Sequence, residues 1–311
     1  MKVLSLFSGI GGFDLGFMRS GMEIVATCEI DKHCQKVLKT QFSNVPIYSD
    51  VKEIKFERHS VDLICGGFPC QDLSVAGRRR GLDGERSGLW FEYQRIIDEV
   101  EPKWVVIENV PGLLYSAKGE DFTIIIRWLA DRGYGVGWRV LDSQGFGLAQ
   151  RRKRVFIVAS FGSPSGCTLL LESESLRRNS LPSSEKGEED SRTIAKCLST
   201  HGWRNDASVE TYVEHVLWEA SHGYDPARVS PDPELVPTLS AKMGTGGNNV
   251  PLVGLRRLTP VECEKLQGFP TNWTAGNSDT QRYKQLGNAV SVPVIEWIGN
   301  KIMGVSNGQQ G

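Results

Sequence analysis

The sequence lacks the features that would tie it to a membrane or to a metal. No apolar run approaches the roughly 20 residues of a membrane-spanning helix, and the amino-terminal apolar run is too short for a secretory signal peptide. Neither a Cys-x-x-Cys pair nor a histidine cluster accompanies the seven cysteines, which disfavours a zinc site or a redox-active pair. We therefore expect no metal, no membrane association and a reducing, cytoplasmic location.

The chain also lacks a charge excess of either sign. Its 36 lysines and arginines balance 37 aspartates and glutamates, so the overall composition does not have the basic signature of a nucleic-acid-binding protein. Basic residues are clustered locally, at 78–80, 151–154 and 256–257. Each cluster is either solvated surface charge or part of a basic strip on a neutral body.

The distribution of apolar residues predicts two domains in a chain of 311 residues. The first 160 residues alternate short apolar runs with helical patterns, which predicts an α/β fold with a doubly wound, mostly parallel sheet. The predicted strands are 2–7, 23–28, 61–65, 104–108 and 154–159, and the predicted helices are 31–42, 89–100, 121–132 and 292–303. The large domain would comprise residues 1–161, completed by 283–311. Residues 162–282 would form a smaller, strand- and loop-rich domain.

Cys70 directly follows a predicted strand. Residues 66–74, Gly-Gly-Phe-Pro-Cys-Gln-Asp-Leu-Ser, place this thiol just past the apolar run 61–65. Pro69 stiffens the turn before it, because the proline ring fixes φ near −65°. A thiol at a strand end is well placed for nucleophilic attack. The alternative is a small buried hydrophobic residue, which is the usual state of a free cysteine.

A glycine-rich turn and two acidic strand ends indicate a cofactor. Residues 7–13, Phe-Ser-Gly-Ile-Gly-Gly-Phe, open a helix whose free N–H groups can bind an anion, but Asp14 replaces the third glycine of the dinucleotide fingerprint. Glu29 can bind the hydroxyls of a ribose, and Asp50 can accept a hydrogen bond from an adenine amine. Each feature has an alternative, as a packing turn or a helix cap. Together they fit an adenosine cofactor without a pyrophosphate, and S-adenosylmethionine fits better than NAD.

Six short motifs follow one another along the chain. They are LFSGIGGF at 6–13, GFPCQ at 67–71, ENV at 108–110, QRRKR at 150–154, RLTPVEC at 257–263 and QLGNAV at 285–290. In sequence and in order they resemble the motifs of the DNA (cytosine-5)-methyltransferase family of bacteria and prophages. They cover the chain except for about 162–235. The resemblance implies a Rossmann-like methyltransferase fold, a target-recognition domain in the variable segment, and methylation of a cytosine flipped out of double-stranded DNA.

The same resemblance assigns the catalytic residues. Cys70 would add to carbon 6 of the cytosine as a thiolate, because this addition makes carbon 5 nucleophilic enough to take a methyl group. Glu108 would hold ring N3 and the exocyclic amine and supply a proton, although a structural or capping glutamate is the alternative. Arg154 would contact the carbonyl oxygen of the base. Arg152 would help to position the base and the nucleophile loop.

Binding residues also follow from the resemblance. The cofactor-binding set is Phe7, Gly9, Gly11, Glu29, Ile30, Asp50, Val51, Pro69, Leu89 and Asn288, of which Phe7 and Ile30 have an equal claim to be core residues. The DNA-binding set is Gln71, Ser74, Arg78, Arg79, Arg80 and Thr238. Residues 71–88, with four glycines and four arginines, have the composition of a mobile closing loop.

Three other functions compete with this one. An RNA cytosine methyltransferase shares the scaffold, but the Cys-Phe-Thr tripeptide of such relatives is missing from this sequence. A non-catalytic DNA-binding relative is disfavoured by the intact catalytic residues, and a nicotinamide oxidoreductase is disfavoured by the incomplete glycine fingerprint. We expect a monomer that acts on double-stranded DNA, alone, in a prophage, or beside a cognate restriction endonuclease.

Overall fold

The structure is a computed structural model. It describes residues 1–69, 88–170 and 258–308, together with the backbone of four short strands between residues 217 and 257. None of the helices in these ranges combines the length and the apolar character that a membrane span needs.

A seven-stranded sheet forms the centre of the described chain. Its strands are β1 (Lys2–Leu6), β2 (Glu23–Cys28), β3 (Ile47–Tyr48), β4 (Leu63–Gly66), β5 (Trp104–Asn109), β6 (Tyr134–Asp142) and β7 (Lys153–Phe161). Their order in space is β3–β2–β1–β4–β5–β7–β6. All pairs from β3 to β5 are parallel, whereas β7 is antiparallel to both β5 and β6. The predicted doubly wound, mostly parallel sheet is therefore confirmed.

Helices connect and cover these strands. They are α1 (Gly12–Arg19), α2 (Lys32–Gln41), α3 (Gly88–Val100), α4 (Glu120–Asp131), α5 (Ser165–Leu169), α6 (Pro260–Leu266), α7 (Asp279–Asn288) and α8 (Val292–Gly308). Single 3₁₀ turns lie at Val51–Glu53, Pro111–Leu114, Ser116–Gly119 and Ser143–Phe146. The helix starts follow from the sequence: Asp31 caps α2, and Thr259 forms a capping box with Glu262 at α6.

Both faces of the sheet are covered, which explains why its central strands are mostly apolar. Leu6, Ile64 and Ile107 belong to a cluster with the buried residues of α3 and α4. Val3, Leu63 and Val106 belong to a second cluster on the other face, with α1 and α8. The helix that follows β1, α1, therefore covers one face of the sheet, and the helix that follows β4, α3, covers the other face.

Residues 258–288 pack against the start of the chain. Cys263, Phe269 and Trp273 share a hydrophobic cluster with Ile10 and with α2. The indole Nε1 of Trp273 donates to the carbonyl oxygen of Ile10 at 2.7 Å. Although the sequence analysis places 258–282 in the smaller domain, these side chains pack against the glycine-rich turn and α2 of the large domain. The division of the chain into two domains stays a prediction.

A buried ion pair organises this segment. Glu264 is fully buried and accepts hydrogen bonds from the backbone N–H groups of Asn272 (2.6 Å) and Thr274 (2.9 Å). The Arg282 guanidinium donates to the same carboxylate at 3.0 Å and to the Thr274 hydroxyl at 2.9 Å. A buried carboxylate is tolerated only when it is paired and hydrogen-bonded in this way. The network holds α6 and α7 in one arrangement.

The second sheet lies between residues 217 and 257. It consists of β8 (Leu217–Glu219), β9 (Arg228–Val229), β10 (Pro251–Val253) and β11 (Arg256–Arg257). These strands are antiparallel in the order β11–β10–β8–β9. They fall in the region for which the sequence predicts short strands.

Candidate active site

A cleft of about 540 Å³ opens at the carboxyl ends of the parallel strands. Its lining includes residues that follow β1, β2, β3 and β4 and the end of β5. The connections after β1 and β4 pass to opposite faces of the sheet, so the strand order reverses here. This is the place where ligands bind in doubly wound sheets.

The cleft brings together most of the predicted site residues. Its lining includes Phe7, Gly9, Glu29, Ile30, Asp50, Val51, Pro69, Leu89 and Asn288 from the cofactor set, and Glu108, Arg152 and Arg154 from the catalytic set. Residues that are up to 281 positions apart in the chain thus share one cavity, since Phe7 and Asn288 both line it. The residues predicted to bind the cofactor and those predicted to be catalytic therefore line the same cavity.

The turn after β1 adopts an unusual backbone conformation. Phe7 and Gly9 have positive φ angles of 53° and 57°. The Gly9 N–H donates to Glu29 Oε2 at 2.7 Å, and Glu29 Oε1 accepts from the N–H of Asp31 at 2.8 Å. Burial raises the pKa of Glu29, and these two backbone N–H groups partly offset that effect. Glu29 therefore fixes the turn at the edge of the cleft.

Ile30 and Asp50 stand on the other wall. The Ile30 side chain is 77% exposed, which leaves an apolar surface open to a ligand. Asp50 Oδ1 accepts from the N–H of Lys52 at 2.9 Å, so this carboxylate also caps the Val51–Glu53 turn. Helix capping was the alternative role for both acidic residues. Asp50 does act as a cap, whereas α2, the helix that follows Glu29, is capped by Asp31.

Gly11 does not line the cleft. A Cβ atom at this position would lie 2.4 Å from the Phe42 ring, and φ is 85°. Glycine is needed here because the turn packs directly against α2. A cofactor contact at Gly11 remains a prediction from the resemblance alone.

Glu108 and Arg154, both predicted to be catalytic, form an ion pair in the cleft. Because β7 is antiparallel to β5, its first residues lie at the carboxyl end of β5, where Glu108 is located. Arg154 Nε is 3.0 Å from Glu108 Oε1, and both side chains are largely buried. Burial raises the pKa of Glu108, whereas the charges of Arg154 and Arg152 act in the opposite direction.

Arg152 is held by backbone carbonyl groups at the end of α7. Its side chain is 2% exposed, and Nη2 donates to the carbonyl oxygens of Ala289 (2.6 Å) and Gly287 (3.2 Å). Burial, together with the charge of Arg154, lowers the pKa of Arg152 to about 9, so the guanidinium stays charged at neutral pH. Arg151 and Lys153 are exposed, as the alternation of a strand requires. Arg152 therefore links β7 to the end of α7.

Two residues within the quoted motifs have roles that the sequence did not reveal. A Cβ atom at Gly67 would lie 2.7 Å from Glu108 Oε2, so glycine makes room for the carboxylate. Asn109 is buried and donates from Nδ2 to the carbonyl oxygen of Phe68 at 3.1 Å. Both contacts depend on the pairing of β4 with β5, which a single sequence does not show.

We expect Gly67→Ala to lower kcat about 10²-fold, since a displacement of a catalytic group by about 1 Å costs that much. The new methyl group would push the Glu108 carboxylate away from its present position. Single-turnover methylation of a DNA duplex would measure the effect. Gly304→Ala in α8 is the matched control, because a Cβ atom there meets nothing within 4 Å. Equal rates for the two variants would contradict the role of Gly67.

The remaining predicted residues lie outside the described part of the chain. They are Cys70, Gln71, Ser74, Arg78, Arg79, Arg80 and Thr238. Pro69, which precedes Cys70 in the sequence, lines the cleft.

The sheet order with its antiparallel β7, and a cleft at the strand reversal, define the Rossmann-like fold of the methyltransferases. The family model for C-5 cytosine-specific DNA methylase matches residues 1–304. The chain therefore belongs to this family and is a DNA cytosine methyltransferase.

Individual relatives agree with the family model. The chain is 34% identical to the type II methyltransferase M.Bsp6I of Bacillus sp. (strain RFL6), over 97% of this chain and 98% of that protein. It is 30% identical to the type II methyltransferase M.HpaII of Haemophilus parainfluenzae, over 96% of this chain and 88% of that protein. The solved structure of the Schizosaccharomyces pombe Dnmt2 methyltransferase superposes with a TM-score of 0.70 at 18% identity, with 99% of both chains covered. This last likeness shows the fold alone.

Proposed function

We propose that the protein transfers a methyl group from S-adenosylmethionine to carbon 5 of a cytosine that is flipped out of a specific double-stranded DNA sequence. Cys70 forms a transient bond to carbon 6 of that cytosine. The observation that carries this proposal is the single cleft, in which Gly9 and Glu29 lie in the same cavity as Glu108 and Arg154. A methyl donor and a base can meet there.

The residues of the cleft fit the proposed cofactor. Gly9 leaves open space where a Cβ atom would stand, and Ile30 offers an exposed apolar surface. Glu29, Ile30, Asp50 and Val51 would hold the adenosine part, because carboxylates suit ribose hydroxyls and amines while apolar side chains suit a flat ring. S-adenosylmethionine, when bound, supplies the methyl group.

The proposed chemistry on the base begins with Cys70. Its thiolate gives an electron pair to carbon 6, and the displaced ring electrons reach N3, where Glu108 supplies a proton. Carbon 5 becomes the nucleophilic carbon of an enamine. After methylation, which leaves S-adenosylhomocysteine, a water molecule takes the carbon 5 proton as the thiolate departs from carbon 6. N3 returns its proton to Glu108, and the aromatic ring of the neutral base is restored. Burial favours this role of Glu108, because a raised pKa makes the carboxyl a better proton carrier.

The arginines assist in two different ways. Arg154, now paired with Glu108 at 3.0 Å, is within reach of the carbonyl oxygen of a base held by that carboxyl. Arg152 is fixed by the carbonyl oxygens of Gly287 and Ala289, so it acts mainly by position. Two guanidinium charges near the base also favour a thiolate over a thiol.

The position of Glu108 supports the proposal that the cytosine is flipped out of the duplex. Its carboxyl is largely buried in the cleft, and a base stacked inside a duplex cannot enter such a cavity. Extrusion of the cytosine costs a few kcal/mol, which contacts in the cleft would offset.

We further propose that the enzyme acts as a monomer. The names of its type II relatives support a place beside a cognate restriction endonuclease.

Methylation of a plasmid in an expressing host tests the proposal. Bisulfite sequencing is expected to show 5-methylcytosine at one recurrent sequence, and purified enzyme should transfer labelled methyl groups from S-adenosylmethionine to duplex DNA. A tRNA substrate should remain unlabelled. The proposed substrate would be contradicted if the enzyme labelled tRNA but not DNA. It would also be contradicted if the enzyme bound S-adenosylmethionine but left the plasmid unmodified.

A further inference from the structure

The side chain of Arg95, which lies outside the cleft, connects two segments that line it by hydrogen bonds. Val51 belongs to the 3₁₀ turn after β3, and Leu89 belongs to the first turn of α3. Arg95, further along α3, donates from Nη2 to the carbonyl oxygen of Val51 at 3.1 Å and from Nη1 to that of Ile54 at 3.2 Å. These are carbonyl groups at the two ends of the turn.

The guanidinium is oriented by two carboxylates of its own helix. Arg95 Nε is 2.7 Å from Glu92 Oε2, and Nη1 is 2.8 Å from Glu99 Oε2. A guanidinium presents five N–H donors in a rigid planar fork, so one side chain can serve all four acceptors. A lysine has a single flexible ammonium group and cannot reproduce this arrangement.

Apolar contacts between the turn and α3 are present as well. Val51 and Ile54 share a buried cluster with Trp90, Tyr93 and Ile96. Hydrophobic contacts are not directional, so they hold the turn against the helix without fixing its register. The hydrogen bonds of Arg95 are directional and supply that register.

We propose that Arg95 is a positioning residue that sets the distance between Val51 and Leu89 and thereby the fit of S-adenosylmethionine. The proposal rests on the proposed function of the cleft. Arg95 does not line the cleft itself and acts only through the turn and the helix that do. Its loss therefore weakens cofactor binding without touching the residues that react with cytosine.

Arg95→Lys and Arg95→Ala test this role. We expect Arg95→Lys to raise the Kd of S-adenosylhomocysteine, measured by calorimetry, and the KM of S-adenosylmethionine about tenfold, a factor that corresponds to ~1.4 kcal/mol. Arg95→Ala should raise both further, so that lysine gives a partial rescue. At saturating S-adenosylmethionine, kcat should stay within about twofold of the unmodified enzyme, because Glu108 and Arg154 are unaffected.

Arg132→Lys is the matched control. Arg132 also pairs with a carboxylate, Asp98, and donates to a backbone carbonyl group, but it does not line the cleft. This variant should keep the Kd and the KM of the unmodified enzyme. Thermal unfolding of each variant shows whether it folds. If Arg95→Ala does not fold, the comparison of Arg95→Lys with the unmodified enzyme is sufficient to test the proposal.

The outcomes separate this inference from the proposed function. Unmodified enzyme that binds neither S-adenosylhomocysteine nor S-adenosylmethionine would refute the proposed function. Unmodified enzyme that binds both, with the same Kd in folded Arg95→Lys, would refute the positioning role alone. A fall in kcat at an unchanged KM would also overturn it.

Discussion

Cys70→Ser will abolish methylation of DNA, with a loss on the order of 10⁴-fold or more in rate. A serine hydroxyl has almost no alkoxide at neutral pH, whereas a cysteine thiol ionises far more readily, and the thiolate is the nucleophilic form. Addition to carbon 6 therefore stops at the first step. The same substitution will prevent a covalent adduct with a duplex that carries 5-fluorocytosine. In the unmodified enzyme, the carbon–fluorine bond blocks the final elimination and the adduct persists through denaturing electrophoresis.

Cys167→Ser provides the control for this experiment. Cys167 is an exposed thiol on α5, away from the cleft lining. The adduct should form with this variant at the unmodified yield. An adduct that survives Cys70→Ser, or one that is lost with Cys167→Ser, would show that Cys70 is not the nucleophile.

Glu108→Gln is expected to lower kcat by about 10²–10⁴-fold, the usual contribution of a positioned acid. Glutamine has the same size and can keep a hydrogen bond to the base, but it has no proton to give to N3. Binding of DNA should change little. Single-turnover rates and gel-shift titrations separate the two quantities. Glu296→Gln, on α8, is the matched control, because its partner Arg19 lies outside the cleft lining.

The pH profile gives a second readout of the same residue. A carboxyl group carries its proton below its pKa and loses it above. Because burial raises the pKa of Glu108, the proton is retained to a higher pH than in an ordinary glutamate, and kcat should fall on the alkaline side of that raised pKa. Glu108→Gln cannot ionise, so its residual rate should lack this decline. The same alkaline decline in both enzymes would assign it to another group.

Most of the large sheet could be predicted from the sequence because its strands are buried on both faces. The runs at β1, β2, β4 and β5 are mostly apolar and alternate with helical patterns. The strand β6 was not predicted, since Gly135 and Gly137 interrupt its pattern. Their Cβ atoms would lie 2.2 Å from the carbonyl oxygens of Ser163 and Gly166, so glycine is required where the chain crosses the strand. Such close approach is a tertiary property that propensity does not encode.

The site was predictable where side-chain chemistry or an ordered motif marks its residues. Glu29 is an acidic residue at a strand end, Glu108 and Arg154 lie in quoted motifs, and the structure brings all three to one cleft. The contacts of Gly67 with Glu108 and of Asn109 with Phe68 join elements that are distant in the chain, so the motifs that contain these residues do not reveal them. Arg95 lies in none of the quoted motifs. The packing of 258–282 against the glycine-rich turn and α2 could not be predicted for the same reason, since the hydrogen bond from Trp273 to Ile10 spans 263 positions.

That long-range hydrogen bond has a consequence for the synthesis of the protein. The first 161 residues contain the whole seven-stranded sheet, but the cleft also needs Trp273 against the glycine turn and the carbonyl groups of Gly287 and Ala289 against Arg152. While these carboxyl-terminal residues are still inside the ribosome, the cleft of the nascent chain is incomplete. The enzyme is therefore expected to become active only when translation has nearly ended, and prematurely terminated chains should leave DNA unmodified.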